Sequence, residues 1–436
     1  MRMPNGLMMM AVVTALVAAG IAAMFLVRAP HASLAVWVLA AFFLPIWVGL
    51  NVGFYMSGIT LLTLGLVVLH GGRFRLAAPD AFMLLFVGLV VLLFAARQVE
   101  LSHLVSGVLE LVLPYFWGRI IYERVGSRPI TGWIAGAAVA VGVLAVIEFL
   151  TGSNLFIGIP GYGPLQATWG TLQPRAGFLR AEGAFGHSIA LGGALAMSAA
   201  FVLAARATTW MKAVGLTVVG VAVVFTFSRI GIITFVLTVV LSILVLRGVG
   251  ASIRWLTAGL LGVGLFILVP FLDTVFLDAG SEAGGSADYR GSLTVLLSQV
   301  QPIGGATGWG DLVVGDDYLG NFTASTDNAF ISLLLRYGYI PTAALFAVYV
   351  GAVIVAVTSK RMSPASVAIL AQLPGLFAVA FITQYGILLW FIVGVAVSSA
   401  LRPERESTAS SRFAEHPRPE VVIVDGAGVG TSSRGR

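Results

Sequence analysis

The sequence predicts an all-α protein, a polytopic transmembrane helical bundle of about 12 to 13 spans with a large extracytoplasmic loop. Hydrophobic residues make up 58% of the 436 residues and charged residues only 10%, and the mean hydropathy is +0.99. A soluble chain of this length cannot hide so much apolar surface behind a polar exterior. The apolar runs fit helices that cross roughly 30 Å of hydrocarbon, and they lack the alternation of barrel strands.

Thirteen apolar runs are candidate spans, within a predicted transmembrane domain of residues 1–400. The first run has the length of a signal peptide but no convincing small-residue cleavage site, so a signal anchor is expected. The spans are predicted near residues 7–27, 33–50, 53–70, 80–96, 102–118, 130–150, 184–205, 210–227, 229–246, 253–272, 338–357, 365–384 and 386–400.

Basic residues predict the orientation, because cytoplasmic loops are enriched in Lys and Arg. Alternate loops carry these bases, and the tail 401–436, rich in Ser, Pro and charge, is predicted to be cytoplasmic and disordered. The extracytoplasmic side then receives two long loops, 151–183 and 273–327. Thirteen spans would put the N-terminus outside and twelve would put it inside, and both remain open. The basic loop residues are Arg28, Arg73, Arg75, Arg119, Arg124, Arg128, Arg206, Lys212, Arg247, Arg254, Lys360 and Arg361.

Several classes of chemistry are excluded by the sequence. Cysteine is absent, so neither disulfides nor thiolate nucleophiles are available. No clustered His or Asp pattern predicts a metal site, and no P-loop or dinucleotide motif predicts a nucleotide cofactor. The net charge of +6 is scattered over short loops, so nucleic acid is not an expected partner. We expect neither a metal nor a cofactor.

Five arginines depart from the cytoplasmic pattern and are predicted to lie at the outer surface: Arg175, Arg180, Arg229, Arg290 and Arg336. Guanidinium groups stay charged and match the geometry of phosphate. Arginines that converge there would suit a lipid-linked phosphate or diphosphate. The alternative is that each of them snorkels to lipid headgroups or pairs with a nearby acid.

Other polar residues have both a structural and a functional interpretation. Asp327 and Asn328 precede a predicted helix, where Asp327 could cap the helix or act as general base toward a sugar hydroxyl. Glu182 has the same two interpretations. Glu110 interrupts an apolar run, where a hydrogen-bonded or protonated core acid is the structural alternative to a functional one. His187 is interpreted as a hydrogen-bonded helix-start residue.

Four motifs occur in an order that resembles the O-antigen ligase and polysaccharide polymerase superfamily of bacterial membrane glycosyltransferases. The resemblance covers roughly residues 100–400. Its motifs are Arg180-Ala181-Glu182-Gly183-Ala184-Phe185, Ser228-Arg229-Ile230-Gly231, Tyr289-Arg290 followed by Pro302 and Gly304 to Gly310, and Ser325-Thr326-Asp327-Asn328 followed by Leu333 and Gly338.

The resemblance implies metal-independent glycosyl transfer from a polyprenyl-diphosphate-linked glycan on the extracytoplasmic face of the bacterial cytoplasmic membrane. Arg180, Arg229 and Arg290, with Arg175 nearby, would bind the diphosphate. Asp327 would orient or deprotonate the acceptor, and Arg290 would also act catalytically. Asn328 and Glu182 would bind the acceptor sugar. A chain-length regulator is a further partner that the resemblance implies.

The resemblance also contains a departure from the family pattern. Ligases of this family carry histidine in the loop-closing stretch, where this chain has Ser325 and Asp327. This departure favours a polymerase of repeat units over a ligase that moves a finished glycan to another acceptor. A transporter or flippase of lipid-linked glycans is the alternative from a different class.

Overall fold

The structure is a computed structural model that describes residues 25–175, 177–278, 293–306, 312–314, 317–320, 328–358 and 362–401. The described part of the chain is predominantly α-helical, and its strands form only three two-stranded antiparallel ribbons. The predicted all-α polytopic bundle is therefore confirmed. The first predicted span, 7–27, and the tail 401–436 lie almost wholly outside the described residues.

The described helices and strands follow one another in chain order. They are α1 (Pro30–Phe43), β1 (Gly49–Asn51), β2 (Tyr55–Ser57), α2 (Gly58–His70), α3 (Ala78–Ala95), α4 (Leu101–Ser106), a π-helical segment (Gly107–Val112), α5 (Leu113–Val125), α6 (Ser127–Thr151), α7 (Gly163–Trp169), β3 (Pro174–Arg175), β4 (Phe178–Leu179), α8 (Ser188–Ala204), α9 (Thr209–Phe225), α10 (Arg229–Val245), α11 (Ala251–Asp278), β5 (Leu312–Val314), β6 (Asp317–Gly320), α12 (Ala329–Tyr337), α13 (Tyr339–Thr358), α14 (Pro364–Ala371), α15 (Leu373–Ala378) and α16 (Thr383–Leu401).

Helix length and hydropathy fit a membrane protein. Within the described residues, five helical segments are long and apolar enough to cross a bilayer, and six more apolar segments have 10–17 residues. The α16 segment is central, because 83% of its most apolar window is buried against other helices. The five long segments are Ala78–Ala95, Leu101–Val125, Ser127–Thr151, Tyr339–Thr358 and Thr383–Leu401.

Long connections meet at one end of the bundle, which we call the loop-rich end. The backbone N–H of Tyr162 donates to the carbonyl of Trp47 at 2.8 Å. The side-chain Nε2 of Gln384 donates to the carbonyls of Leu44 at 2.6 Å and Ala184 at 3.0 Å. These bonds fasten the connection after α1, the α6–α8 connection and the start of α16 to one another.

A buried ion pair lies at the opposite end. Arg119 donates from Nε to Asp80 Oδ1 at 3.0 Å and from NH2 to Asp80 Oδ2 at 2.8 Å. Tyr115 donates to the same carboxylate at 2.6 Å, and Ser398 of α16 accepts from Arg119 NH1 at 2.9 Å. Arg119 was predicted to be a loop base, and this is wrong: α5 continues to Val125, so Arg119 lies within the helix and is 2% exposed.

Glycine allows α5 and α16 to approach each other closely. A Cβ on Gly118 would collide with the carbonyl of Phe391, and a Cβ on Gly394 would collide with the carbonyl of Tyr115. Small residues are what lets helix backbones pack this tightly within a membrane. This contact positions Arg119 beside Ser398.

Among the predicted boundaries that differ from the structure, three lie in the second half of the chain. The predicted span 365–384 is two short helices, α14 and α15, separated at Gln372. The helix predicted to follow the long loop is also two helices, because Gly338 with φ +86° separates α12 from α13. The helix predicted to end at 272 continues to Asp278, so the first residues of the predicted loop 273–327 are helical.

Candidate functional site

Two of the predicted arginines are on segments that contact each other at the loop-rich end. Arg180 is 8% exposed and donates from Nε to the carbonyl of Thr226 at 2.9 Å. The next residue, Ala181, donates its backbone N–H to the carbonyl of Phe225 at 3.0 Å. Arg229 begins α10 three residues after Thr226 and is half-buried. The side chain of Arg180 is therefore held against the turn that carries Arg229.

Other positions of the motif Ser228-Arg229-Ile230-Gly231 have structural roles in the turn before α10. Ser228 is the N-cap of α10 and accepts from the backbone N–H of Gly231 at 3.1 Å. Gly192 of α8 lies so close that a Cβ there would be 2.9 Å from Thr226 Oγ1. Phe227 has φ +48°, which is uncommon for a bulky residue. Strained backbone of this kind clusters at functional sites, and here it precedes Arg229.

A buried carboxylate that the sequence analysis did not single out organises the neighbouring segment. Glu148 of α6 accepts backbone hydrogen bonds from Glu182 at 3.0 Å and Gly183 at 2.9 Å. It also accepts from Asn154 Nδ2 at 2.9 Å. The signal was available, because an acid within an apolar run is expected to be partnered or functional. Glu148 fixes the backbone that follows Arg180.

Glu182 lies within this buried cluster and is only 1% exposed. Its Oε1 accepts from the backbone N–H of Gln173 at 3.2 Å. Burial raises the pKa of Glu182 to about 8, and the charge of Glu148 adds to the increase, while the Gln173 bond and Arg180 oppose it. Glu182 is therefore largely protonated at neutral pH.

The raised pKa of Glu182 predicts that the protein is less stable in alkali. The carboxyl titrates at 4.5 without the fold and at about 8 within it, so the folded state binds the additional proton between these values. The contribution of Glu182 to the free energy of unfolding is then largest below about pH 4.5 and decreases as the pH rises to about 8, by an amount on the order of a few kcal/mol. Thermal unfolding in detergent from pH 5 to 9 measures this. Glu182→Gln should flatten the profile, and parallel profiles would contradict the assignment.

A pocket of about 200 Å³ lies beside this cluster. Trp169, Gln173 and His187 line one side, and Val379 and Ile382 line the other. His187 caps α8, accepting from the backbone N–H of Ile189 at 3.2 Å, which confirms its interpretation as a helix-start residue. Burial and the nearby charge of Arg180 lower the pKa of His187 to about 4, so the imidazole is neutral.

Asn328 connects the start of α12 to the same pocket. It caps α12 by accepting from the backbone N–H of Ile331 at 3.0 Å, and its Nδ2 donates to the carbonyl of Phe377 at 2.9 Å. The following residue, Ala329, donates to the carbonyl of Val379 at 3.0 Å. The capping interpretation that was considered for Asp327 therefore belongs to Asn328.

The predicted site residues are thus partly brought together. Arg180, Glu182 and Asn328 lie on segments that border the 200 Å³ pocket, and Arg229 lies beside Arg180's partner Thr226. Arg175 is in β3, opposite Phe178 of β4. Arg290 and Asp327 lie outside the described residues.

A second pocket, of about 340 Å³, lies between α9, α10 and α11. Its walls are almost entirely apolar and include Phe225, Val236, Leu260 and Gly264. Phe225 immediately precedes Thr226, so this pocket reaches the turn that carries Arg229. An apolar pocket of this size beside a turn that carries an arginine suits an amphipathic anion.

Within the described residues, no group of three or more His, Asp or Glu side chains could hold a metal ion. Comparisons with protein-family models, with curated proteins and with solved structures find no match to this chain. The geometry of the loop-rich end is therefore the basis for assigning a function.

Proposed function

We propose that this chain is a membrane glycosyltransferase that polymerises glycan repeat units carried on a polyprenyl diphosphate. One observation carries the proposal: the turn that holds Arg180 and bears Arg229 adjoins an apolar pocket of about 340 Å³. A polyprenyl diphosphate has the matching parts, an anionic headgroup and a long apolar chain. The motif resemblance adds support, because it assigns the same arginines to the diphosphate.

The arginines would accelerate the reaction mainly by stabilising the diphosphate as it leaves. As the bond between the sugar and the diphosphate breaks, negative charge grows on the diphosphate oxygens. Guanidinium groups that are already positioned stabilise that charge more than they stabilise the bound substrate. Arg180 and Arg229 take this role in the proposal, together with Arg290 and Arg175.

The acceptor half of the reaction needs a hydroxyl oxygen and a place for its proton. In the proposal, the acceptor hydroxyl attacks the anomeric carbon, a new glycosidic bond forms, and the lipid diphosphate leaves with the bonding electron pair. Asp327 takes the proton of the hydroxyl, while Asn328 and Glu182 bind the acceptor sugar. The reaction takes place on the extracytoplasmic face of the bacterial cytoplasmic membrane.

Filling the apolar pocket tests the lipid part of the proposal. Gly264 lines the pocket and Gly262 does not, and a Cβ on either residue would meet open space. We expect Gly264→Phe to weaken binding of a polyprenyl phosphate at least about tenfold, since one aromatic ring buries a large part of the contact area. Gly262→Phe should leave binding unchanged. The measurement is photo-crosslinking of a labelled polyprenyl phosphate in nanodiscs, and equal labelling of both variants would refute the pocket assignment.

A transporter of lipid-linked glycans is the second candidate, and the break between α14 and α15 favours it. Broken helices with polar groups are typical of transporters. Among the described side chains, Gln372 Nε2, Thr383 Oγ1 and Gln384 Oε1 are buried near this break without hydrogen-bond partners. A transporter would move the glycan across the membrane without lengthening it, whereas a polymerase would lengthen it.

A further inference from the structure

The pocket of about 200 Å³ at the loop-rich end has walls from three separate segments of the chain. Trp169 is the last residue of α7, and Gln173 follows it in the same connection. His187 immediately precedes α8, while Val379 and Ile382 belong to the non-helical connection between α15 and α16. Since segments that are distant in sequence meet here, the tertiary fold forms this pocket.

Two aromatic rings, those of Trp169 and His187, form a corner of the pocket. Their centroids are 5.9 Å apart, and their planes are inclined by 79° to each other. Gly186, with φ +62°, permits this approach, because a Cβ there would be 2.5 Å from the carbonyl of Trp169. The indole ring therefore lies beside the imidazole and supplies an apolar surface on which the C–H face of a sugar ring can pack.

Polar groups of His187 and Gln173 are available to a ligand in this pocket. The Nδ1 atom of His187 accepts from the backbone N–H of Ile189 at 3.2 Å, so the proton of the neutral imidazole lies on Nε2. The backbone N–H of Gln173 donates to Glu182 at 3.2 Å, while its side chain lines the pocket. Within the described residues, neither His187 Nε2 nor the Gln173 amide has a hydrogen-bond partner. The pocket thus offers donors and an acceptor beside an apolar ring.

The side chains that line the pocket favour a neutral ligand. Of the described residues that line it, none carries a formal charge. Glu182 is 1% exposed, and Arg180 is held against the carbonyl of Thr226. An ionised ligand would lose water here without gaining a counter-charge. A sugar ring is uncharged, has apolar C–H faces and carries hydroxyls that both donate and accept, so its chemistry matches the lining.

We propose that this pocket binds the terminal sugar ring of the acceptor glycan, with Trp169 as the apolar platform and His187 and Gln173 as the hydrogen-bonding groups. The inference rests on the proposed function, which supplies the acceptor. Glu182 and Asn328 also position the walls, because Glu182 holds the backbone of Gln173 and Asn328 is hydrogen-bonded to a carbonyl of α15. The pocket accommodates one ring, so it selects a glycan by its last sugar.

Three substitutions that preserve the neighbouring backbone contacts test the subsite. Trp169→Leu removes the ring and should weaken sugar binding at least about tenfold. His187→Asn keeps a side chain that can cap α8 but withdraws the Nε2 donor, and Gln173→Leu removes the amide. Each of these two should weaken binding about threefold to tenfold, the effect of one hydrogen bond. Trp210→Leu is the matched control, since Trp210 is exposed in the first turn of α9, at the end of that helix far from the loop-rich end.

The probes are the methyl glycosides of glucose, galactose, mannose, rhamnose and N-acetylglucosamine, whose binding to the full-length protein in nanodiscs is measured by saturation-transfer NMR. The expected result is that the unaltered protein and Trp210→Leu bind at least one glycoside, and that the three variants bind it more weakly while polyprenyl phosphate labelling is retained. If Trp169→Leu or His187→Asn fails to fold, Gln173→Leu alone decides.

The outcomes that overturn the subsite differ from the one that overturns the proposed function. The subsite is wrong if the unaltered protein binds none of the glycosides, if all variants bind them equally, or if adenosine, a neutral compound that also stacks, binds more tightly. If Arg229→Ala leaves polyprenyl phosphate labelling unchanged, the proposed function fails instead, whatever the glycosides do.

Discussion

Replacing Arg229 with alanine is expected to reduce glycan polymerisation at least about 100-fold, because preorganised charges at a leaving group contribute on the order of 10²–10³ in rate. Arg229 is the first residue of α10 and lies beside the Thr226 carbonyl that holds Arg180, and Phe225 of the same turn lines the apolar pocket. Arg229→Lys should recover activity only partly, because an ammonium lacks the fork that binds two phosphate oxygens. The measurement is the length distribution of glycans made by membranes with matched protein amounts.

Arg97 provides the control for charge alone. It is exposed after α3, at the same end of the bundle, and takes no part in the contact between Arg180 and Thr226. Arg97→Ala should leave the glycan lengths unchanged. If Arg97→Ala and Arg229→Ala shorten the glycans equally, or neither does, the headgroup role of Arg229 is wrong.

Replacing Arg119 with methionine is expected to cost about 3–5 kcal/mol of stability, because it leaves the buried Asp80 carboxylate unpaired. Arg119 makes two hydrogen bonds to Asp80, and Asp80 is fully buried. Thermal unfolding in detergent and the yield of monodisperse protein measure the loss.

A second substitution separates the charge from the packing. Replacing a buried ion pair by apolar residues is often neutral, so the double variant Asp80→Leu with Arg119→Met should recover most of the loss. Tyr115 keeps a donor without its partner in the double variant, so recovery is incomplete. A double variant that is less stable than Arg119→Met alone would show that the pair contributes more than mutual neutralisation.

The helical bundle could be predicted because composition and the length of apolar runs are averages over many residues. Such averages do not identify which residues of distant segments contact each other. Asp80 and Arg119 are 39 positions apart, and periodicity within one helix carries no information about a partner on another. The break at Gln372 was also missed, because the predicted span 365–384 is apolar on both sides of it.

Residues of the candidate site could be predicted where a single charged residue departs from the charge or hydropathy pattern around it. Arg180 and Arg229 stood out as bases on the side where bases are rare, and their segments are indeed in contact. Glu148 and Glu110 both break apolar runs, but only Glu110 was singled out, and the backbone groups of Glu182 and Gly183 that bind Glu148 lie 34 and 35 positions away from it. Capping was considered at Asp327, one residue before the cap at Asn328, because sequence patterns locate helix ends only to within a few residues.

Reconstitution tests the central claim most directly. The full-length chain in liposomes, supplied with a polyprenyl-diphosphate-linked repeat unit and a metal chelator, should convert single units into a ladder of longer glycans still attached to the carrier. Arg229→Ala should abolish the ladder. Single units that cross the bilayer without being lengthened would contradict the polymerase and identify the chain as a transporter.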